Sequence, residues 1–259
     1  MKMKIELMEE TESTNELAIR ALESGMESGT VFVADHQTRG RGRRNTDGSR
    51  RVWHSPKGEN LYLSVVLRPR VGPEKISALT LAAGVALVEA IEEVTGVSSW
   101  LKWPNDLYVG ERKLAGILTE AVSGPEGIRG VVVGVGLNVN VRRRAFPSPL
   151  DEWVTSLREE SGEKIDRFSL ALAVAKALIA GSERYEAEGL AGFAERLGEL
   201  DGLVDRLVEV RENGQVHQGR ACGIGARGGL MVEWNDGRTE EVVAGEVLVH
   251  GLGGHQLRE

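Results

Sequence analysis

Five short stretches concentrate residues that could bind or neutralise an anion. "QTRGRGRR" (37–44) puts Arg39, Arg41, Arg43 and Arg44 on a backbone loosened by Gly40 and Gly42. Guanidinium forks match carboxylate and phosphate oxygens, and glycines let backbone amides approach a ligand closely. Trp53, a little further on, offers a flat face on which a base could stack. "KWPNDL" (102–107) brings an amine, an amide and a carboxylate (Lys102, Asn105, Asp106) within five residues. Seven residues beyond Asp106, Lys113 opens "KLAGILTEA", where a lysine is costly unless it meets an anion. Alternation along that strand puts Lys113 on one face with Ala115 and Ile117. "VGVGLNVN" (133–140) carries Gly134, Gly136 and Asn138: glycines that admit a close neighbour, and an amide that suits an adenine edge. "STN" (13–15) adds two hydroxyls and an amide. Each stretch also has a plainer reading: a solvated basic loop, a Pro-Asn-Asp turn, an edge lysine, a strand bend and a helix cap.

The elements that must hold these residues alternate between strand and helix. A short strand (Lys4 to Met8) precedes "ESTNELAIRALESG", a helix with a Ser13/Glu16 capping box that stops at Gly25. "TVFVADHQ" is a β-branched strand that feeds the arginine loop, and "ENLYLSVVLRP" is the strand after it. "PEKISALTLAAGVALVEAIEEVTG" reads as a helix apolar almost all round, hence buried under a sheet. "SWLKWPNDLYVGERKLAGILTEA" and "IRGVVVGVGLNVNV" are strands with short turns. From Pro147 to about Leu200 the pattern is helical, most clearly in "RFSLALAVAKALIAGSERYEAEG". After Asp205 come five short β-runs, with "ENGQ" and "NDGR" as the strongest hairpin turns.

Composition narrows the functional classes. The 259 residues carry formal net charge −7, with 41% hydrophobic and 27% charged residues, as in an ordinary globular protein. Such excess acid argues against a general nucleic-acid binder. A single cysteine, Cys222, allows no internal disulfide, and no Cys/His cluster suggests a metal site. Neither a signal peptide nor a membrane span is expected, which points to the cytoplasm. The five histidines receive no role.

Taken in order, "STN", "Q-x-x-G-R-G-R-R", "W-x-S-P-x-G-x-N-L-Y-L-S", "K-W-P-N-D-L", "R-K-L-A-G-I-L-x-E" and "G-x-G-x-N" resemble the biotin protein ligases, that is, the biotin–[acetyl-CoA-carboxylase] ligases. The resemblance runs through almost the whole chain. It implies an α+β fold: a mixed β-sheet flanked by helices over residues 1–203, then a small SH3-like β-barrel over 204–259. It also implies ATP, biotin and Mg²⁺, with no residue assigned as a metal ligand, and transfer to a lysine of a biotin carboxyl carrier domain. By the same resemblance, Ser13, Thr14, Asn15, Gln37, Gly40, Arg41, Gly42, Arg43, Lys113 and Gly116 meet biotin. Arg41, Arg43, Arg44, Trp53, Lys102, Asn105, Lys113 and Asn138 meet ATP or the adenylate, and Lys113, Arg43 and Asp106 carry the catalysis. The chain departs from the pattern in the longer "NTDGSRRV" before Trp53, which leaves the placement of Trp53 open. "STN" begins at residue 13, so no DNA-binding winged helix and no nucleic-acid partner are expected. A monomer or weak homodimer is expected. A lipoate or octanoate ligase of the same fold, and an RNA-binding module using the Arg/Gly run, are the alternatives.

Overall fold

Strand alternation gives the central sheet two unlike faces, and the difference positions the site. The computed structural model describes residues 2–44, 48–125, 127–212, 215–243 and 245–249. In chain order the first half comprises β1 (Lys4–Thr11), α1 (Thr14–Glu23), β2 (Thr30–Gln37), β3 (Arg41–Arg44), β4 (Arg50–Val52), β5 (Leu61–Leu67), α2 (Ile76–Thr95), β6 (Trp100–Lys102), β7 (Asp106–Val109), β8 (Arg112–Gly124) and β9 (Gly127–Leu137). Seven of these strands form one sheet in the order β1-β2-β5-β9-β8-β7-β6. Only β1–β2 is parallel, so the sheet is mixed, as expected. β3 and β4 form a separate hairpin. The first strand runs three residues beyond the expected Met8, because its ladder with β2 holds as far as Thr11 opposite Gln37.

Helices α3 (Leu150–Trp153), α4 (Leu157–Ser161), α5 (Arg167–Glu188) and α6 (Ala194–Leu200) follow. Val31, Leu63, Val65, Val131, Val133 and Val135 point to one face, where they share a core with Leu79, Leu87, Val174 and Leu178 of α2 and α5. Their strand neighbours Phe32, Val66 and Val132 point the other way, and with Val122 they pack on Ala18, Ala21 and Leu22 of α1. α2 is buried along most of its length and ends at Gly96 with φ +68°, a left-handed stop that suits glycine. α1 begins differently from the expected capping box. Ser13 has N-cap backbone geometry, but its side chain makes no capping hydrogen bond. That hydroxyl faces the cavity described below.

The last strands are β10 (Leu207–Glu212), β11 (Gln215–Ile224), β12 (Leu230–Trp234), β13 (Thr239–Val242) and β14 (Glu246–Val249). They pair antiparallel in the order β13-β12-β11-β10-β14. The expected "NDGR" turn joins β12 to β13, with Gly237 at φ +82°. "ENGQ" includes Asn213 and Gly214, which lie outside the described residues. This small sheet is tied to the main body where Trp103 Nε1 donates to the Gly228 carbonyl at 2.9 Å. Among the described residues, no helix is long and apolar enough to cross a membrane.

Candidate active site

The α1 face of the sheet carries a row of glycines where β8 and β9 run side by side. A Cβ on Gly134 would overlap the Asn15 amide oxygen, and one on Gly136 would come within 2.5 Å of the Trp53 ring. Gly116, paired with Gly136, lies under the same indole. The glycines expected to admit a ligand therefore first admit two of the protein's own side chains. Asn15 is held from all sides. Its Nδ2 donates to the Leu118 carbonyl (3.1 Å) and Glu120 Oε2 (2.9 Å), and its Oδ1 accepts from Ser64 (2.6 Å). Thr14 donates its N–H (2.9 Å) and hydroxyl (3.2 Å) to Gln37 Oε1, and Gln37 Nε2 donates to Ser55, which donates to the Trp53 carbonyl. One continuous network thus fixes the "STN" segment, Gln37 and the backbone of Trp53. Gly134→Ala is expected to displace Asn15 and cost about 1–3 kcal/mol through overpacking. A lowered urea midpoint with unchanged slope would report it, and an unaltered midpoint would contradict the role given to Gly134.

The arginine stretch folds as the β3–β4 hairpin across this face. Of "NTDGSRRV", Arg50–Val52 form the second strand, and Asn45, Thr46 and Asp47 lie outside the described residues. Its length does not displace Trp53, because the Trp53 N–H bonds the Gly40 carbonyl at 2.9 Å and closes the hairpin base. Gly40 is needed there: a Cβ would come within 2.6 Å of the Trp53 carbonyl oxygen. Arg41 and Arg50 both reach Glu120, each at 3.2 Å. Arg43 donates to Asn105 Oδ1 (3.2 Å) and to the Gly245 carbonyl (3.1 Å), and Arg51 pairs with Glu246. The hairpin is thereby tied to the sheet at one side and to the start of β14 at the other. Burial lowers the Arg43 guanidinium from its ordinary value, with Asp106 opposing that shift. Arg44 is exposed.

"KWPNDL" makes the β6–β7 turn. Asn105 is spent on it: Nδ2 donates to the Ile117 carbonyl at 2.7 Å while Oδ1 receives Arg43. Lys113 departs from simple alternation. Tyr108 pairs with Lys113 but Leu107 pairs with Ala115, so Leu114 is an extra residue in β8. This bulge turns Lys113 to the face of Gly116, with its Cε 3.6 Å from a Cβ built there, whereas Ile117 points toward α2. The expected sharing of a face with Ala115 and Ile117 fails for that reason. Lys113 Nζ lies 2.7 Å from Asp106 Oδ2 and 5.6 Å from the centre of the Trp53 ring. Lys102 is buried, and desolvation pushes its ammonium down to about 8 against the pull of Asp106.

These side chains line one cavity of about 360 Å³. Ser13, Thr14, Asn15, Gln37, Arg41, Gly42, Arg43, Arg44, Trp53, Lys102, Asn105, Asp106, Lys113, Gly116 and Asn138 all contribute to it. Gly40 contributes structure rather than lining, and Asn138 is buried with its Oδ1 accepting from Asn60 (3.2 Å). Two lining donors, Arg41 Nε and Trp53 Nε1, are buried without a hydrogen-bond partner, so the cavity is short of acceptors. Sequence reasoning missed Glu120, Ser64, His54, Phe146 and the Gly245–Glu246 pair. Glu120 could have been found only as an unexplained acid in a strand facing the arginines. Among the described residues no three His, Cys, Asp or Glu side chains cluster as a metal site. Uncharged hydrogen-bonding groups (Thr14, Asn15, Gln37) and ammonium and guanidinium groups (Lys102, Lys113, Arg41, Arg43) line the same cavity, a combination that suits a ligand with both a polar uncharged part and an anionic part.

Comparison with known proteins agrees with this geometry. Residues 7–138 match the model of the biotin/lipoate A/B protein ligase family. The chain is 37% identical over 228 residues to the bifunctional ligase/repressor BirA of Bacillus subtilis, covering 87% of this chain and 68% of that protein. It is 32% identical over 249 residues to the biotin–[acetyl-CoA-carboxylase] ligase of Mycobacterium tuberculosis, covering 94% and 88%. The biotin protein ligase of Aquifex aeolicus, solved in complex with biotin and ATP, superposes with a TM-score of 0.79 at 30% identity, covering 95% of this chain and 97% of that one. With its family region, its fold and its glycine-floored cavity in agreement, the chain belongs to the biotin/lipoate A/B protein ligase family.

Proposed function

We propose that the chain is an ATP-dependent biotin–protein ligase that makes biotinyl-5′-AMP and passes the biotinyl group to a lysine of a biotin carboxyl carrier domain. The observation that carries this reading is one cavity lined both by the Thr14–Asn15–Gln37 hydrogen-bonding groups and by the cations Lys102, Lys113, Arg41 and Arg43. In the first step a biotin carboxylate oxygen attacks the α-phosphorus, the bond from that phosphorus to the bridging oxygen breaks, and pyrophosphate leaves. In the second step the carrier's neutral lysine amine attacks the acyl carbon, AMP leaves, and the amine loses a proton to water.

Ser13, Thr14, Asn15 and Gln37 serve the ureido head of biotin, with the backbone of Gly40, Arg41 and Gly42 beside it and Gly116 beneath the chain. Lys113 stands where the carboxylate and the α-phosphate meet, and Asp106 holds its amine there until the anions arrive. Arg43 covers the acyl phosphate. Asn105 acts through Arg43, and Arg41 and Arg44 flank the adenylate. Trp53 and Asn138 serve the nucleoside. The catalytic effect is positioning and neutralisation of negative charge. Among the described residues no acids cluster as a cage for Mg²⁺; bound with ATP, the ion would supply further neutralisation of phosphate charge. Residues 1–203 form the catalytic unit and 204–259 a smaller SH3-like unit.

Lys102 gives a pH prediction. Its free-state ammonium is lost as pH rises past about 8, and an anionic ligand favours the charged form. ATP affinity is therefore expected to weaken as pH rises above that value, with proton uptake on binding. Calorimetry in buffers of different ionisation enthalpy would measure the uptake. A Lys102→Met variant with the same pH dependence as the parent would remove Lys102 from nucleotide binding. The ligase reading itself is tested by thermal shift: stabilisation by biotin with ATP is expected, and a response to lipoate instead of biotin would overturn it.

A further inference from the structure

Three consecutive arginines lead into Phe146, which lines the cavity, and are not themselves part of that lining. Arg142, Arg143 and Arg144 are exposed, in the turn just ahead of Phe146. Their side chains make no hydrogen bond or ion pair with any other described residue. Among the hairpin arginines, Arg41, Arg50 and Arg51 each end on a carboxylate, whereas exposed Arg44 makes no such pair with a described residue. The turn is fixed to the cavity wall. Ala145 and Phe146 donate their N–H groups to the carbonyls of Arg142 and Arg143 at 2.8 and 3.1 Å. Phe146 is buried against His54, with ring centroids 5.8 Å apart, and lines the cavity together with Leu150 and Val154. Three adjacent exposed cations form a local positive patch on a chain of net charge −7, a patch able to attract an anionic partner.

We infer that Arg142, Arg143 and Arg144 form a docking face for an acidic protein surface, the one that flanks the acceptor lysine of the carrier domain. The inference rests on the ligase reading. An acceptor lysine must reach an acyl group held within the cavity, so the carrier has to meet the rim. On the hairpin side of that rim the guanidiniums of Arg41, Arg50 and Arg51 are neutralised by Glu120 and Glu246. The nucleotide phosphates are served from inside by Lys102, Lys113 and Arg43. The arginine triplet ahead of Phe146 is left to attract what arrives from solvent. Exposed charges of this kind act mainly on association rate and are screened by salt.

The test combines Arg142→Glu, Arg143→Glu and Arg144→Glu in the full chain, with a biotin carboxyl carrier domain that has acidic residues beside its acceptor lysine. The expected result is a fall of at least about tenfold in kcat/KM for the carrier at low salt, the scale of electrostatic steering. The difference should shrink to under about twofold near 1 M salt, where the screening length is ~3 Å. Biotin-dependent ATP–pyrophosphate exchange without carrier should be unchanged, as should the melting temperature. A carrier with its flanking acids changed to lysine should recover transfer by the triple variant. Unaltered kcat/KM for the carrier, with normal exchange, overturns this inference alone. A raised KM for ATP in the exchange reaction also overturns it, by giving the arginines to the nucleotide phosphates. No exchange by the unmutated chain would overturn the ligase reading and this inference with it.

Discussion

Lys113→Ala is expected to slow adenylate formation by ~10²–10³-fold, the cost of removing one preorganised charge donor from a reaction centre. The β8 bulge turns this amine onto the Gly116 face, beside the Trp53 ring and 2.7 Å from Asp106. Two anions that must come together there, a carboxylate and a phosphate, repel each other. An ammonium that touches both lowers the barrier more than it lowers the energy of either reactant alone. Water cannot take its place, because it carries no charge. The substitution also leaves Asp106 without its partner, which adds repulsion. The variant should keep its fold, since Lys113 lies outside both apolar cores. Pyrophosphate exchange is the readout, with circular dichroism as the control for folding. A folded variant with near-normal exchange would remove Lys113 from the chemistry.

Arg43→Gly is expected to make the adenylate and then lose it. A charge-assisted hydrogen bond is worth roughly 1.5–3 kcal/mol, so its loss speeds escape by about one to two decades. The structure adds a second reason. Arg43 ties the hairpin to Asn105 and to the Gly245 carbonyl, so glycine also frees the cover from both attachments. The released mixed anhydride should then acylate lysines without regard to their carrier. Mixing the variant with biotin, ATP and albumin, and probing albumin for biotin, reads this directly. Labelling no faster than with the unmutated chain would mean that another group retains the product. Arg50 and Arg51 would be the next to test, although both are held by acids.

Much of the fold was legible because periodicity is local. "TVFVADHQ" gave β2 to the residue, and the all-round apolar helix after Pro73 is α2, buried as its composition requires. What could not be read depends on partners distant in sequence. β1 extends to Thr11 only because β2 is there to pair with it. The Ser13 hydroxyl caps nothing, and Gln37, twenty-three residues from Thr14, takes the Thr14 N–H instead. The phase of Lys113 was misjudged because a bulge is a property of a strand pair, and no composition signal marks Leu114 as the extra residue. The motifs did name the lining of the cavity, since anion-binding residue types were concentrated in them. They included Glu120 without a role for it; it fixes Asn15, Arg41 and Arg50. Residues that hold the holders leave little trace in a single sequence.

Transfer of biotin to a carrier lysine through an adenylate is read by the intact mass of a carrier domain. The chain, biotin, ATP and Mg²⁺ are incubated with a biotin carboxyl carrier domain and with the same domain bearing arginine at its acceptor lysine. A gain of one biotinyl group is expected on the unaltered domain, dependent on both biotin and ATP, and none on the arginine form. No mass gain with both substrates present, or an equal gain when lipoate replaces biotin, would contradict it.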